Sequence, residues 1–104
     1  MKNTLIRDIL TKPGNYLNKK IKISGWVRTV RATNNVGFIE LNDGSYFRSL
    51  QVVFTDHLDN FKEIAKLSVG TALTVAGTLV ESLGSKQPVE IQAEDIVIDG
   101  LSSP

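Results

Sequence analysis

Gly37-Phe38-Ile39-Glu40-Leu41-Asn42, the turn Asp43-Gly44-Ser45 and the run Leu50-Gln51-Val52-Val53-Phe54 are the most legible stretch of this sequence. Apolar side chains recur at every second residue on both sides of the turn, which is the spacing of a half-buried strand. Asp-Gly between two such runs folds a chain back on itself, so residues 37–54 read as two antiparallel strands. Parity then sorts the side chains. Ile39 and Leu41 share one face, Leu50, Val52 and Phe54 share the matching one, and both sets are expected to point inward. Phe38, Glu40 and Asn42, with Gln51 and Val53 opposite, are expected to point outward. An aromatic on that otherwise polar face calls for a partner.

Upstream, Lys20-Ile21-Lys22-Ile23-Ser24 alternates in the same way and continues through Gly25-Trp26-Val27 toward Val30. Gly25 inside this first strand suggests a bulge or sharp bend. Before it, Thr4 to Leu10 spaces Leu5, Ile6, Ile9 and Leu10 along one side of a short helix. Thr11-Lys12-Pro13-Gly14-Asn15 stops that helix. Downstream, Leu58, Phe61, Ile64 and Ala65 fall at helical spacing, with Thr55 or Asp56 as a cap and Gly70 as the end. Ala72 to Val80 is a fourth strand with Leu73, Val75, Gly77 and Leu79 on one face. Val89 to Ile98 is a fifth, whose apolar phase slips between Ala93 and Ile96 as a bulge would make it. Five strands with a helix between the third and fourth, preceded by a short N-terminal helix, predict an all-β Greek-key barrel of the OB type.

The chain has 104 residues and no cysteine, which suits one domain and excludes disulfides and thiolate metal sites. No apolar run approaches a membrane span, and Met1 to Asp8 is too polar for a signal peptide, so a cytoplasmic domain is expected. The net charge of +1 conceals a division: residues 1–31 hold eight Lys/Arg and one acid, residues 32–104 four Lys/Arg and ten acids. There is no phosphate-binding GxxxxGK[ST] loop and no GxGxxG. With one histidine and scattered acids, neither a metal cluster nor a catalytic set is expected.

On the outward face, Phe38 offers a stacking platform and Gln51 a donor and an acceptor for a base edge. In the fifth strand Val89, Ile91 and Ala93 point inward, which turns Glu90 outward as an acceptor for base protons. Arg28, Arg31 and Lys22 on the first strand supply cations for phosphates. Each has an ordinary reading too: Phe38 as a barrel-end residue covered by the turn at 33–36, Gln51 and Glu90 as solvated strand positions. Together on one barrel face they favour single-stranded nucleic acid. Trp26 is expected to pack near the interconnecting helix, and His57 to lie on the surface.

Gly25-Trp26-Val27-Arg28-Thr29-Val30-Arg31, the 37–45 run and Leu50-Gln51-Val52-Val53 closely resemble the N-terminal anticodon-binding domain of the aspartyl, asparaginyl and lysyl class II aminoacyl-tRNA synthetases. Ser85-Lys86-Gln87-Pro88-Val89-Glu90-Ile91-Gln92-Ala93 is most similar to the asparaginyl branch. The resemblance implies that Arg31 hydrogen-bonds the central anticodon uracil, Phe38 stacks on it and Gln51 reads its edge. It implies that Glu90 contacts the first base, and that the loop from Ser82 to Pro88, with Lys86, lies near the third. The aspartyl branch has basic and amide residues around the start of that loop; the nearest matches here are Glu81, Ser82 and Lys86, a departure that speaks against aspartate specificity. It further implies a GUU reader for asparagine tRNA, whose basic first third meets the anticodon-stem backbone. The 1–104 domain would carry no cofactor. Residues 100–104 would begin a linker to a catalytic domain that uses ATP and magnesium and forms the homodimer, leaving this domain free to be monomeric. The competing expectations are a general single-strand-binding OB module and a protein-interaction barrel anchored by Phe38.

Overall fold

A computed structural model describes residues 2–82 and 87–101. Five strands, β1 (Lys20–Ala32), β2 (Val36–Asn42), β3 (Leu50–Thr55), β4 (Ala72–Glu81) and β5 (Val89–Gly100), close into a barrel in the order β1-β2-β3-β5-β4. Neighbours are antiparallel except β3 and β5, which run parallel with Val52 opposite Ile91 and Val53 opposite Gln92. The strand parity expected for Ile39, Leu41, Leu50, Val52 and Phe54 holds, and all five are fully buried. Ile21, Ile23, Leu73, Val75, Leu79, Val89 and Ile91 fill the rest of the interior, and Ile6 and Ile9 of α1 (Ile6–Thr11) join them. Among the described residues no helix is long and apolar enough to cross a membrane.

The 13-residue β1 serves two ladders. It pairs with β4 from Lys20 opposite Thr78 to Trp26 opposite Ala72, then with β2 from Trp26 opposite Asn42 to Ala32 opposite Gly37. The hand-over brings Gly25 against β2: a Cβ there would lie 2.4 Å from the Asn42 carbonyl oxygen. Gly25 is therefore a point of close backbone approach. The register shift of β1 falls later, between Val27 and Thr29, which makes Arg28 the extra residue. In β5 the expected slip is present, since Ala76 faces Asp95 while Gly77 faces Ala93, leaving Glu94 unpaired.

Three further expectations are corrected. The helix between β3 and β4 is only α2 (Phe61–Ile64), reached through successive turns from Thr55. Neither Thr55 nor Asp56 caps it. The Asn60 side chain, at the cap position, donates to the Ile96 carbonyl at 2.9 Å instead. Asn42 is buried rather than outward. Its Nδ2 reaches the carbonyls of Tyr46 and Arg48 and the Ser49 hydroxyl, and its Oδ1 accepts from Gly44 N at 2.7 Å. Those four groups of the 43–49 loop draw it inward. Trp26, 38% exposed, lies against Gly44 of the same loop instead of near α2.

That loop also fastens α1. No side chain of the helix's own segment caps it, and Asp43 Oδ2 accepts from Ile6 N at 3.0 Å in place of a local cap. Burial disfavours the charged Asp43 carboxylate, but hydrogen bonds from the Ser45 hydroxyl, Ile6 N and Ser45 N outweigh it and hold its pKa below the ordinary 3.8. Asp43→Asn is expected to cost ~1–2 kcal/mol of stability, the worth of a helix cap made to a charged acceptor. A carboxylate with a lowered folded-state pKa stabilises above its unfolded value and loses that contribution as pH falls through the folded value. Urea midpoints of wild type and Asp43→Asn should therefore differ at pH 6 and converge below about 3.8. A constant difference down to pH 3 would contradict this.

Candidate nucleic-acid interface

The register of β1, β2 and β3 fixes which outward side chains meet. Arg31 faces Phe38 and Phe38 faces Val53; one step along, Thr29 faces Glu40 and Glu40 faces Gln51. Arg31 thus shares the face of Phe38, because the bulge at Arg28 resets the phase of β1. Its Cζ sits 5.2 Å from the centroid of the Phe38 ring. A guanidinium at that distance is attracted by the ring face. Phe38 is partly exposed and lies outside the buried core cluster.

Parallel pairing of β3 with β5 brings Glu90 beside Gln51. Gln51 Nε2 donates to Glu90 Oε1 at 3.0 Å, and the Ser82 hydroxyl donates to the same oxygen at 2.9 Å. Glu90 Oε2 accepts no hydrogen bond among the described residues, which leaves it for a donor from outside. Among the described residues the Gln51 side-chain oxygen and its second amide proton have no partner. Gln87 fixes the start of β5 against β3: its Oε1 accepts from Gln51 N at 3.2 Å, and its Nε2 donates to the Ser49 carbonyl.

Four of the expected site residues, Arg31, Phe38, Gln51 and Glu90, are therefore brought together across β1, β2, β3 and β5. Arg28 is exposed on the bulge of β1 and makes no ion pair among the described residues. Lys86 lies outside the described residues. Lys22 stands on the other half of β1, opposite Ala76 of β4, and does not belong to this group. The support that Ser82 and Gln87 give to Glu90 and Gln51 was not foreseen. It comes from pairs 8 and 36 residues apart, which no local pattern signals.

Chemically, the face combines one aromatic ring backed by a cation, one amide, and one carboxylate with a free oxygen. Such a set can stack on a base and read the donors and acceptors of its edge. Two surface hollows are lined by other residues. One holds Asp59, Glu63, Glu94 and Asp95, carboxylates that repel phosphate, and the other sets Lys22 beside Asp95 and Asp99. Among the described residues no group of three or more His, Asp or Glu side chains could hold a metal ion. The described residues thus offer no cluster of carboxylates for a magnesium ion.

Residues 21–99 match the model of the tRNA anticodon family, described as an OB-fold nucleic acid binding domain. The chain is 55% identical over 104 residues to an asparagine–tRNA ligase of Clostridium botulinum, covering 99% of this chain and 22% of that protein. It is 52% identical over 103 residues to the asparagine–tRNA ligase of Desulfitobacterium hafniense, again covering 99% of this chain and 22% of the relative. The chain thus spans about a fifth of the length of these curated relatives. An asparaginyl-tRNA synthetase from Pyrococcus horikoshii has the same fold, with a TM-score of 0.83 at 19% identity over 99% of this chain and 23% of that one. With the matched residues running from the second residue of β1 to the penultimate residue of β5, the chain belongs to the tRNA anticodon family of OB-fold nucleic acid binding domains.

Proposed function

We propose that this chain is the anticodon-recognition domain of an ATP-dependent asparagine–tRNA ligase and reads the triplet GUU. The observation that carries the reading is the placement of Arg31 over Phe38 beside the hydrogen-bonded Gln51–Glu90 couple. Phe38 stacks on the central uracil while Arg31 and Gln51 satisfy its oxygens and imino proton. Glu90 Oε2 accepts the donors of the first base, guanine, which carries an amino group that adenine lacks at the same edge. Arg28 meets the backbone, and Lys86 with the 82–88 loop lies by the third base. The basic residues of α1 and early β1 contact the phosphates of the anticodon stem. The ligase is cytoplasmic and dimerises through a catalytic domain that binds ATP and magnesium and carries out the aminoacylation.

Titration with anticodon stem-loops bearing GUU, GUC and a changed central base tests the reading. GUU should bind most tightly, and a central cytosine should weaken binding by about 1–3 kcal/mol, the usual cost of one mismatched readout position. Equal affinity for all three would overturn it in favour of a general single-strand module, which would also show a steep salt slope. The exposed carboxylate of Glu40 and the free oxygen of Glu90 favour base reading over indiscriminate phosphate binding.

A further inference from the structure

We infer that Glu90 is a positioning residue for the base on Phe38: it locks the side-chain amide of Gln51 in one orientation, and that lock separates uracil from cytosine. This deepens the anticodon reading above and rests on it. A glutamine amide has an acceptor end and a donor end, and a half-turn about its last bond exchanges them. A free glutamine therefore fits two opposite base edges. Uracil presents a ring N–H beside a carbonyl oxygen. Cytosine presents, at the same two positions, a bare ring nitrogen beside an amino group. One orientation of the amide pairs with the first, and the turned one pairs with the second.

Gln51 is not free to turn. Its Nε2 donates to Glu90 Oε1 at 3.0 Å. An ionised carboxylate only accepts, so the turned amide would set oxygen against oxygen and lose the bond. The carboxylate is held in its own right, because the Ser82 hydroxyl donates to the same oxygen at 2.9 Å. The backbone under Gln51 is fixed as well, its N donating to Gln87 Oε1 at 3.2 Å. Both Gln51 and Glu90 are half-buried, which strengthens the bond between them. The lock also has a direction. In the barrel β5 lies on one side of β3 and β2 on the other. With the amide nitrogen committed to Glu90 on β5, the oxygen is turned toward β2, where Phe38 stands. Phe38 pairs with Val53, and Gln51 is two residues along β3 on the same outward face. Such diagonal neighbours are about 7–8 Å apart, within reach of one base that stacks on the ring and turns its edge to the amide. That base meets a fixed acceptor. A ring N–H satisfies it and a bare ring nitrogen does not. Cytosine reaches it with its amino group only by sliding along the ring, at a cost in stacking.

Two measurements on this chain test the lock. The first needs no RNA. In side-chain amide NMR spectra one Gln51 Hε2 proton should be shifted by its hydrogen bond, and Glu90→Gln should draw it back toward the position of a solvated glutamine. The second compares GUU and GCU stem-loops. Wild type should prefer the central uracil by about tenfold or more. In Glu90→Gln the new amide can face Gln51 with either end, so the preference should shrink to within about threefold. Ser82→Ala, which removes one donor from the carboxylate, should lower it part-way. A contact of Glu90 with the first base would weaken both loops alike and leave the ratio unmoved. The same comparison on loops abasic at the first position should therefore give the same loss of preference. In a Gln51→Ala background Glu90→Gln should no longer affect the ratio, since the residue through which it acts is gone. A full uracil preference in Glu90→Gln, or a Gln51 amide signal that does not move, would overturn the lock while leaving the anticodon reading intact. If wild type binds both loops alike, the anticodon reading fails and the lock falls with it.

Discussion

Phe54→Ala should lower the stability of the barrel by ~3–5 kcal/mol, the cost of truncating a fully buried phenylalanine. The ring has no exposed surface and lies 5.3 Å from the Phe61 ring, centroid to centroid. It joins the β2–β3 sheet to α2, so the cavity would open where two elements meet. A domain of this size is stable by only ~5–15 kcal/mol, so a large part of the reserve would go. Thermal unfolding followed by circular dichroism should show a midpoint at least ~12 °C lower; a fall of only a few degrees would mean that the barrel collapses onto the space. Gly37 sits opposite Phe54, and a Cβ there would come within 2.2 Å of the ring. Gly37→Ala alone should therefore overpack the site. Combined with Phe54→Leu it should cost less than the two single changes together, since the smaller side chain vacates the contested space.

Phe38→Ala should weaken binding of a GUU stem-loop by ~1–3 kcal/mol, the worth of one base–aromatic stack. That corresponds to a five- to 150-fold rise in Kd. Stability should hardly change, because Phe38 is outside the buried core. The separation of binding from folding distinguishes the loss of a platform from the loss of the protein. Phe38→Trp should keep most of the affinity. Arg31→Ala should weaken binding, because the guanidinium backs the ring, and on the proposed reading it should also relax selection of the central uracil. Measured by equilibrium titration at one fixed salt concentration, an unchanged Kd for Phe38→Ala would remove the ring from the interface.

Strand parity was the legible part of this molecule. The alternation at Ile39, Leu41, Val52 and Phe54 is local, and it alone decided which faces of β2 and β3 are buried and turned Phe38 and Gln51 outward. The phase slip near Glu94 was legible for the same reason, as a break in an otherwise regular pattern. What could not be read was settled by distant partners. Asn42 obeys parity in sequence and violates it in space because the carbonyls of the 43–49 loop need its amide. Gly25 marks a close approach to Asn42, and the bulge at Arg28 leaves no trace in residue type. Leu58, Phe61, Ile64 and Leu67 recur every third residue, a spacing that consecutive tight turns satisfy as well as a helix does. At the candidate site, strand parity turned Phe38, Gln51 and Glu90 outward, but the bonds of Ser82 and Gln87 that orient Glu90 and Gln51 arise only when β5 docks beside β3.

The shared strand β1 also orders events in time. Lys20 waits for Thr78, and the barrel shuts only when β5 slots between β3 and β4. Pairings so distant along the chain form slowly. On the ribosome the β1–β2–β3 meander can assemble early, carrying Arg31, Phe38 and Gln51, while Glu90 and its hydrogen bonds come with the final strand. The half of the face that carries the Arg31–Phe38 pair thus exists before the half that carries Glu90.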